Sequence, residues 1–285
     1  MKTIVLLLTA AFNNRPMRLY HFLFFCLLAL TTKAYKPEPE YWTRPDSLGL
    51  TYVEKRLITP DKAQLLSWFL PTSSLKPLKK TLIIAYAATG NMANCVYYAN
   101  EFLKAGFDVV LFDYRGFGHS SPFEIDPKRL YYTEFVTDFQ TAIKAAKTQF
   151  PTNKVGVLSF SLSTLLATLA YQQESFDFMI GEGYVRDPIA VVAYWKRVAD
   201  RELTLPTGVE AYPNATRKLK CPLLLLAGTN DEITPLSTSQ AVAAQRPNRS
   251  LLTYEGDHLQ GTTVWKERVF ADGYVRRIKE FAEKI

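Results

Sequence analysis

Val155-Gly156-Val157-Leu158-Ser159-Phe160-Ser161-Leu162-Ser163 reads as a buried strand that breaks abruptly into a helix, with a serine at the break. A serine hydroxyl is a poor nucleophile until geometry exposes it and a base takes its proton. A sharp strand-to-helix elbow supplies the exposure, and its usual pattern is Gly-x-Ser-x-Gly. Serines stand in both glycine places here. The residues two before and two after the nucleophile crowd together where strand meets helix, so both must be small. Ser161 has Ser159 and Ser163 at those places. With Ser159 as nucleophile, Val157 would fill a crowded place; with Ser163, Leu165 would. Serines at a helix start also cap free backbone N–H groups, so the segment alone fits either role.

Working outward, strands and helices alternate. Expected strands are Thr81–Ala87, Asp108–Phe112, Lys154–Phe160, Phe176–Ile180, Pro222–Ala227 and Ser250–Tyr254. Expected helices are Met92–Ala105, Leu130–Thr148, the elbow helix to Gln172, Thr238–Gln245 and a closing helix Val264–Ala282. The strands are near-continuous apolar runs, which marks burial on both faces, as in a parallel sheet covered by helices. Two earlier stretches, Leu50–Ile58 and Gln64–Leu70, flank the turn residues Pro60-Asp61 and read as an antiparallel hairpin. The pattern predicts one α/β domain over residues 48–285, with a mostly parallel sheet and helices on both faces. Residues 183–219 are too long for an ordinary connection. They carry Tyr184, Ile189, Val191, Val192, Tyr194, Trp195, Leu203 and Leu205, which fits a small helical cap.

The 285 residues carry a net charge of +7, but the excess is uneven. Lys2, Arg15, Arg18 and Lys33, with no acid among them, supply most of it from the first 34 residues. No basic stripe with interleaved aromatics follows, so nucleic acid is not an expected partner. Arg15 and Arg18 precede the apolar run Phe22–Leu30, and Thr32-Lys33-Ala34 offers small residues at the two positions a signal peptidase reads. The run is short for a membrane span of about 20 residues. Residues 1–34 are therefore read as an export leader cleaved near Ala34, with a retained membrane anchor as the alternative and Met17 as a possible true start. Residues 35–47, beginning near Lys36-Pro37-Glu38-Pro39-Glu40, read as an extended linker. Cys95 and Cys221 sit beside apolar segments as free buried thiols or one disulfide. They lack metal-ligand spacing, and with two histidines past the leader no metal or cofactor is expected. Asn214 and Asn248 head Asn-x-Ser/Thr sequons.

A serine nucleophile needs a histidine and a carboxylate to orient it. His258, in Glu255-Gly256-Asp257-His258-Leu259, lies just past an expected strand, where open α/β sheets assemble their sites. His119 lies in the loop Asp113-Tyr114-Arg115-Gly116-Phe117-Gly118-His119-Ser120. Asp231 follows another strand in Gly228-Thr229-Asn230-Asp231, a sequence that also suits a plain turn. Ser161, Asp231 and His258 thus fall at strand ends in the order Ser, Asp, His.

On these residues the chain resembles an α/β-hydrolase over roughly residues 48–283. Val157–Ser163 is similar to the elbow, Gly228–Asp231 to the acid loop and Gly256-Asp257-His258 to the histidine loop. Asp113–Ser120 is similar to a structural loop of the superfamily, which implies that His119 is scaffold and His258 the base. Glu182 and Asp187 follow the preceding strand, where some relatives carry the acid, so Glu182 stays as an alternative. The resemblance implies an oxyanion hole from the N–H groups of Leu162 and Ala88. Relatives carry His-Gly just before the second donor; Tyr86-Ala87 stands there in this chain.

The implied chemistry is acyl transfer through an acyl-enzyme on a small-molecule substrate. Carboxylic-ester hydrolysis with an apolar acyl or alcohol group is the first expectation. A serine peptidase or amidase, an acyltransferase, and a non-catalytic binding protein of the same fold are the alternatives. Membrane association is expected only through an uncleaved N-terminal segment.

Overall fold

A computed structural model describes residues 34–285. The leader expected in residues 1–34 lies, apart from Ala34, outside the described residues. In chain order the described elements are β1 (Lys36–Pro37), β2 (Val53–Ile58), β3 (Gln64–Leu70), β4 (Lys80–Ala85), β5 (Thr89–Gly90), α1 (Val96–Ala105), β6 (Asp108–Phe112) and α2 (Thr133–Gln149). They continue with β7 (Lys154–Phe160), α3 (Leu162–Ala170), β8 (Phe178–Glu182), α4 (Pro188–Ala199), α5 (Tyr212–Lys218), β9 (Leu223–Gly228), α6 (Leu236–Ala243), β10 (Arg249–Tyr254), α7 (Gly261–Val264) and α8 (Asp272–Ala282).

Eight strands form one sheet in the order β10-β9-β8-β7-β4-β6-β3-β2. The pairs from β10 to β6 are parallel, whereas β3 runs antiparallel to both β6 and β2. The apolar runs that predicted burial on both faces are buried: Leu82 to Ala85 and Val109 to Phe112 have no exposed surface. The β4-to-β6 crossover runs one way along the sheet and the β6-to-β7 crossover runs back. Right-handed connections in opposite directions put α1 and α2 on opposite faces. Accordingly α1 packs with α8, and α2 packs with α3. The reversal makes the carboxyl ends of β4 and β7 a topological switch point, where such sheets form their clefts.

The helices follow from their sequences. In α2, Phe135, Phe139, Ala142, Ile143 and Ala146 recur at helical spacing and are buried. The elbow helix α3 carries no charged residue and is covered all round; only Leu169 is not fully buried. Two expected helices differ in detail. The Met92–Ala105 stretch opens with a 3-10 turn, Met92–Cys95, capped by the Asn91 side chain on the Ala93 N–H at 3.0 Å. The closing helix is interrupted: the Asp272 carboxylate accepts the N–H groups of Glu267, Arg268, Val269 and Gly273 at 2.7–3.1 Å. An acid that binds nearby backbone donors offers the chain an alternative to continued helix. Asp272 therefore ends the loop after α7 and starts α8.

The 35–47 segment is packed against the domain. Tyr35 is buried among Phe117, Tyr132 and Phe135, with ring centroids 5.2–6.1 Å away. β1 pairs with β5 in the loop that follows β4. The 183–219 insertion holds α4, a 3-10 turn at Val209–Ala211 and α5. It is tied back by Tyr212, whose hydroxyl donates to the Val185 carbonyl at 2.7 Å, and by the Leu130 N–H on the Thr204 carbonyl at 2.9 Å. Cys95 and Cys221 are both free and buried.

Asp138 is fully buried and receives the Arg115 guanidinium at 2.7–3.2 Å as well as the Arg115 backbone N–H at 2.9 Å. Arg115 also reaches the half-exposed Asp61 at 2.5 Å. Removing one partner of a buried pair strands the other charge, at a cost of about 3–5 kcal/mol. Arg115→Leu is therefore expected to lower unfolding free energy in urea by that amount. Asp61→Asn should cost less than about 1 kcal/mol, because an exposed pair is screened by solvent.

Candidate active site

Ser161 sits between β7 and α3 with φ 49° and ψ −118°, a conformation rare for a residue with a side chain. Its N–H donates to the Glu182 carbonyl at 2.8 Å and its carbonyl accepts the Thr164 hydroxyl at 2.7 Å. These bonds fix the turn on both sides. Ser159 and Ser163, at the crowded places, are 0% and 1% exposed, so anything larger would be forced into the packed core.

The structure brings the three sequence-selected residues together. His258 Nε2 lies 2.8 Å from Ser161 Oγ, and His258 Nδ1 lies 2.7 Å from Asp231 Oδ2. Asp231 is buried after β9. Its Oδ1 accepts the N–H groups of Ile233 and Thr234 at 2.9 and 2.8 Å, and Oδ2 also accepts the Thr234 hydroxyl at 2.6 Å. Burial alone would raise the Asp231 pKa, but the bonds from His258 and Thr234 outweigh it and hold the carboxyl below its ordinary range. The acid therefore stays ionised and orients the ring. His119 is half-exposed and packs at a tilt against Tyr41, with ring centroids 4.7 Å apart; the imidazole bonded to Ser161 is that of His258. Asp187 caps α4 through the Ile189 and Ala190 N–H groups.

Glu182 does not take the place of Asp231 at His258 Nδ1. It accepts the hydroxyls of Tyr254 and Tyr274 at 3.0 and 2.8 Å and the Gly261 N–H at 2.8 Å. Burial raises its pKa. Glu182 thus staples the end of β8 to the histidine loop.

The two expected oxyanion donors differ in setting. Leu162 is the first residue of α3, and Ala88 lies in the loop after β4. Among the described residues neither N–H has a hydrogen-bond acceptor. Sequence reasoning missed how the Ala88 loop is held. Its Tyr86 hydroxyl and Met92 N–H both donate to Asp113 Oδ1, at 3.1 and 2.7 Å. Between these pins, Lys36 N–H donates to the Ala88 carbonyl and Glu38 N–H to the Gly90 carbonyl, each at 3.0 Å. Asn91 Nδ2 returns bonds to the carbonyls of Glu38 and Glu40 at 3.0 and 2.7 Å. Tyr41 completes the set by donating to Asp113 Oδ2 at 2.5 Å. The strap read as a linker is the outer wall of this loop. The only sequence signal was a Tyr where relatives carry His, and a tyrosine needs an acceptor.

With the parallel sheet, the reversal at β4 and β7 and the strained Ser161 turn in place, the fold can be compared. A structure of an esterase from Pyrococcus furiosus superposes with a TM-score of 0.68 over 88% of this chain and 98% of that one, at 22% identity. The chain has the α/β-hydrolase fold. A family model described as serine aminopeptidase, S33, matches residues 76–181. A probable lysophospholipase L2 of Haemophilus influenzae is 29% identical over 114 residues, 39% of this chain but 35% of that protein, about a third of its length. The uncharacterized protein YfhR of Escherichia coli O157:H7 is 25% identical over 87% of this chain and 89% of its own. A malate-bound esterase of Thermogutta terrifontis shares the hydrolase fold at a TM-score of 0.58 and 16% identity, covering 81% of this chain and 98% of that one.

Gly183 was not singled out by sequence. Its φ is +62°, and a Cβ there would lie 2.6 Å from His258 Cε1. Gly183→Ala is expected to displace the ring and cut labelling of Ser161 by a serine-reactive fluorophosphonate about 10²-fold, since small misplacements carry such costs. Circular dichroism should report an unchanged fold.

Asp113 gives a pH signature. Burial pushes its carboxyl up to about 6 in spite of the bonds from Tyr41, Met92 and Tyr86. A folded-state pKa raised above the unfolded value near 4 means the folded protein holds a proton the unfolded chain has released. The resulting stability is full below the unfolded pKa and is lost as pH rises through the folded one. Between pH 4 and 7, the stability advantage of wild type over Asp113→Asn in urea should shrink by about 2–3 kcal/mol. A constant difference across that range would contradict the assignment.

Proposed function

We propose that this protein is a serine hydrolase that cleaves carboxylic esters through an acyl-enzyme. The observation that carries the reading is the unbroken chain from Ser161 Oγ through the His258 ring to Asp231, with both links below 3 Å. In this reading His258 takes the Ser161 proton as Oγ attacks the ester carbonyl, and Asp231 stabilises the imidazolium. The carbonyl oxygen becomes an oxyanion that accepts the N–H groups of Leu162 and Ala88. Collapse of the tetrahedral intermediate expels the alcohol, protonated by His258. Water, deprotonated by the same ring, then releases the acid and restores Ser161.

The esterase neighbours and the apolar character of the 183–219 insertion, with its partly buried Tyr194 and Trp195, support an ester with an apolar acyl or alcohol group. The serine aminopeptidase model supports a second reading, cleavage of an amide bond. An aminopeptidase must bind the substrate's ammonium with a free carboxylate. Glu182, the carboxyl next to the elbow, already carries two tyrosine hydroxyls and a backbone N–H. That favours the ester.

Fluorophosphonate should label wild type and leave Ser161→Ala unlabelled; equal labelling of the two would remove the enzyme reading. Asp231→Asn should lower kcat on p-nitrophenyl esters by about 10⁴-fold, the cost of a wrongly oriented imidazole. A panel of esters of rising acyl length, run beside aminoacyl p-nitroanilides, decides between the two substrate classes by kcat/KM.

A further inference from the structure

Ser163 stands where the elbow pattern has glycine, and its hydroxyl joins the two walls that carry the proposed oxyanion donors. β4 and β7 are paired up to Ala85 opposite Ser159, where the ladder stops. Beyond that point one wall continues as Tyr86-Ala87-Ala88 and the other turns at Ser161 into α3. The Ser163 hydroxyl bridges the gap by donating to the Tyr86 carbonyl. This uses its only proton, so the Tyr114 hydroxyl, 3.1 Å away, is the donor to Ser163 Oγ. Burial pushes the Tyr114 phenol well above its ordinary pKa, which keeps that proton in place. Ser163, Tyr86 and Tyr114 are all nearly inaccessible, at 1–3% exposure, so water does not compete for these bonds.

The placement matters because of what flanks each end. Ser163 is the residue after Leu162, the first proposed donor, and Tyr86 lies two residues before Ala88, the second. The Tyr86 carbonyl belongs to the peptide that leads into Ala87, so fixing it fixes the direction in which the Ala88 loop leaves the sheet. Resting on the serine-hydrolase reading above, we propose that Ser163 is a positioning residue that sets the separation of the two oxyanion donors, through its hydrogen bond to the Tyr86 carbonyl. The serine thus supplies a constraint that a glycine at this place cannot. Hydrogen-bond donors act on a transition state only when aimed at the position the oxyanion will occupy. A loosened wall weakens transition-state binding and leaves ground-state binding of the ester almost untouched.

The test uses Ser163→Gly and Ser163→Ala, both small enough for the crowded place, with Tyr114→Phe as a control that keeps the Ser163–Tyr86 bond. Kinetics on a p-nitrophenyl ester, and the affinity of a boronic acid that mimics the tetrahedral state, are measured well below the melting temperature. Both Ser163 variants should lose about 10–100-fold in kcat, less than the 10²–10³-fold loss of a whole donor. KM should stay within about threefold, boronate affinity should fall in parallel with kcat, and Tyr114→Phe should stay close to wild type. Wild-type kcat in folded Ser163 variants overturns the proposal. So does a rise in KM at constant kcat, and so does failure of both variants to fold, which would make the serine purely structural. If wild-type protein itself is not labelled by fluorophosphonate at Ser161, the underlying enzyme reading fails instead, a result distinct from any of these.

Discussion

Ser161 adopts a backbone conformation that costs on the order of 1–3 kcal/mol, and the surrounding structure is arranged to impose it. The sheet register delivers β7 to the turn, the Glu182 carbonyl holds the Ser161 N–H, and the buried helix α3 fixes the other side. Small residues at 159 and 163 are the condition for the turn to close. Without that constraint, the Ser161 hydroxyl would not project beyond the strand end towards a ring borne on the loop after β10. Every other feature of the site, from the Asp231 turn to the fit of Gly183 against His258, presupposes where this hydroxyl stands.

Two buried carboxyls support the site in the same manner, without a cation. Asp113 takes two tyrosine hydroxyls and a backbone N–H beneath the loop after β4. Glu182 takes two tyrosine hydroxyls and a backbone N–H beneath the histidine loop. Neutral donors satisfy the oxygens while burial raises both pKa values. Asp138 differs, because Arg115 pairs with it directly. A cation beside Asp113 or Glu182 would place charge next to the Ala88 loop or the histidine; phenols deliver geometry with little field.

Much of this was legible in the sequence, for definable reasons. Parallel buried strands announce themselves as unbroken apolar runs, so the sheet could be placed. Crowding at the elbow singled out Ser161 even with both glycines replaced, and strand ends located Asp231 and His258. What could not be read depends on contacts between distant stretches. Glu182 looked like a spare acid because its partners, Tyr254 and Tyr274, lie more than 70 residues on. Asp272 broke an expected helix through bonds that hydrophobic periodicity does not register. The Pro-rich 35–47 segment has the composition of a linker, and its docking place is made by distant groups: the carbonyls of the Ala88 loop, the rings around Tyr35 and the Asp113 carboxylate.

That segment alters where the domain begins. Judged by the reach of the sequence resemblance, the hydrolase core opens near residue 48, and a truncation there would look conservative. Such a cut would remove the strand that borders the Ala88 loop, the acceptors of Asn91 and the Tyr41 hydroxyl on Asp113. The central sheet would keep its own ladders, while one wall of the site would lose its bracing. In folding terms that wall is non-local: residues 35–41 must reach across to partners some 50 to 80 positions later before it can set. The β4–β7 ladder reaches as far, pairing Lys80 with Lys154, so sheet and wall alike depend on later segments, and chain emerging early in synthesis waits for them before it finds its place.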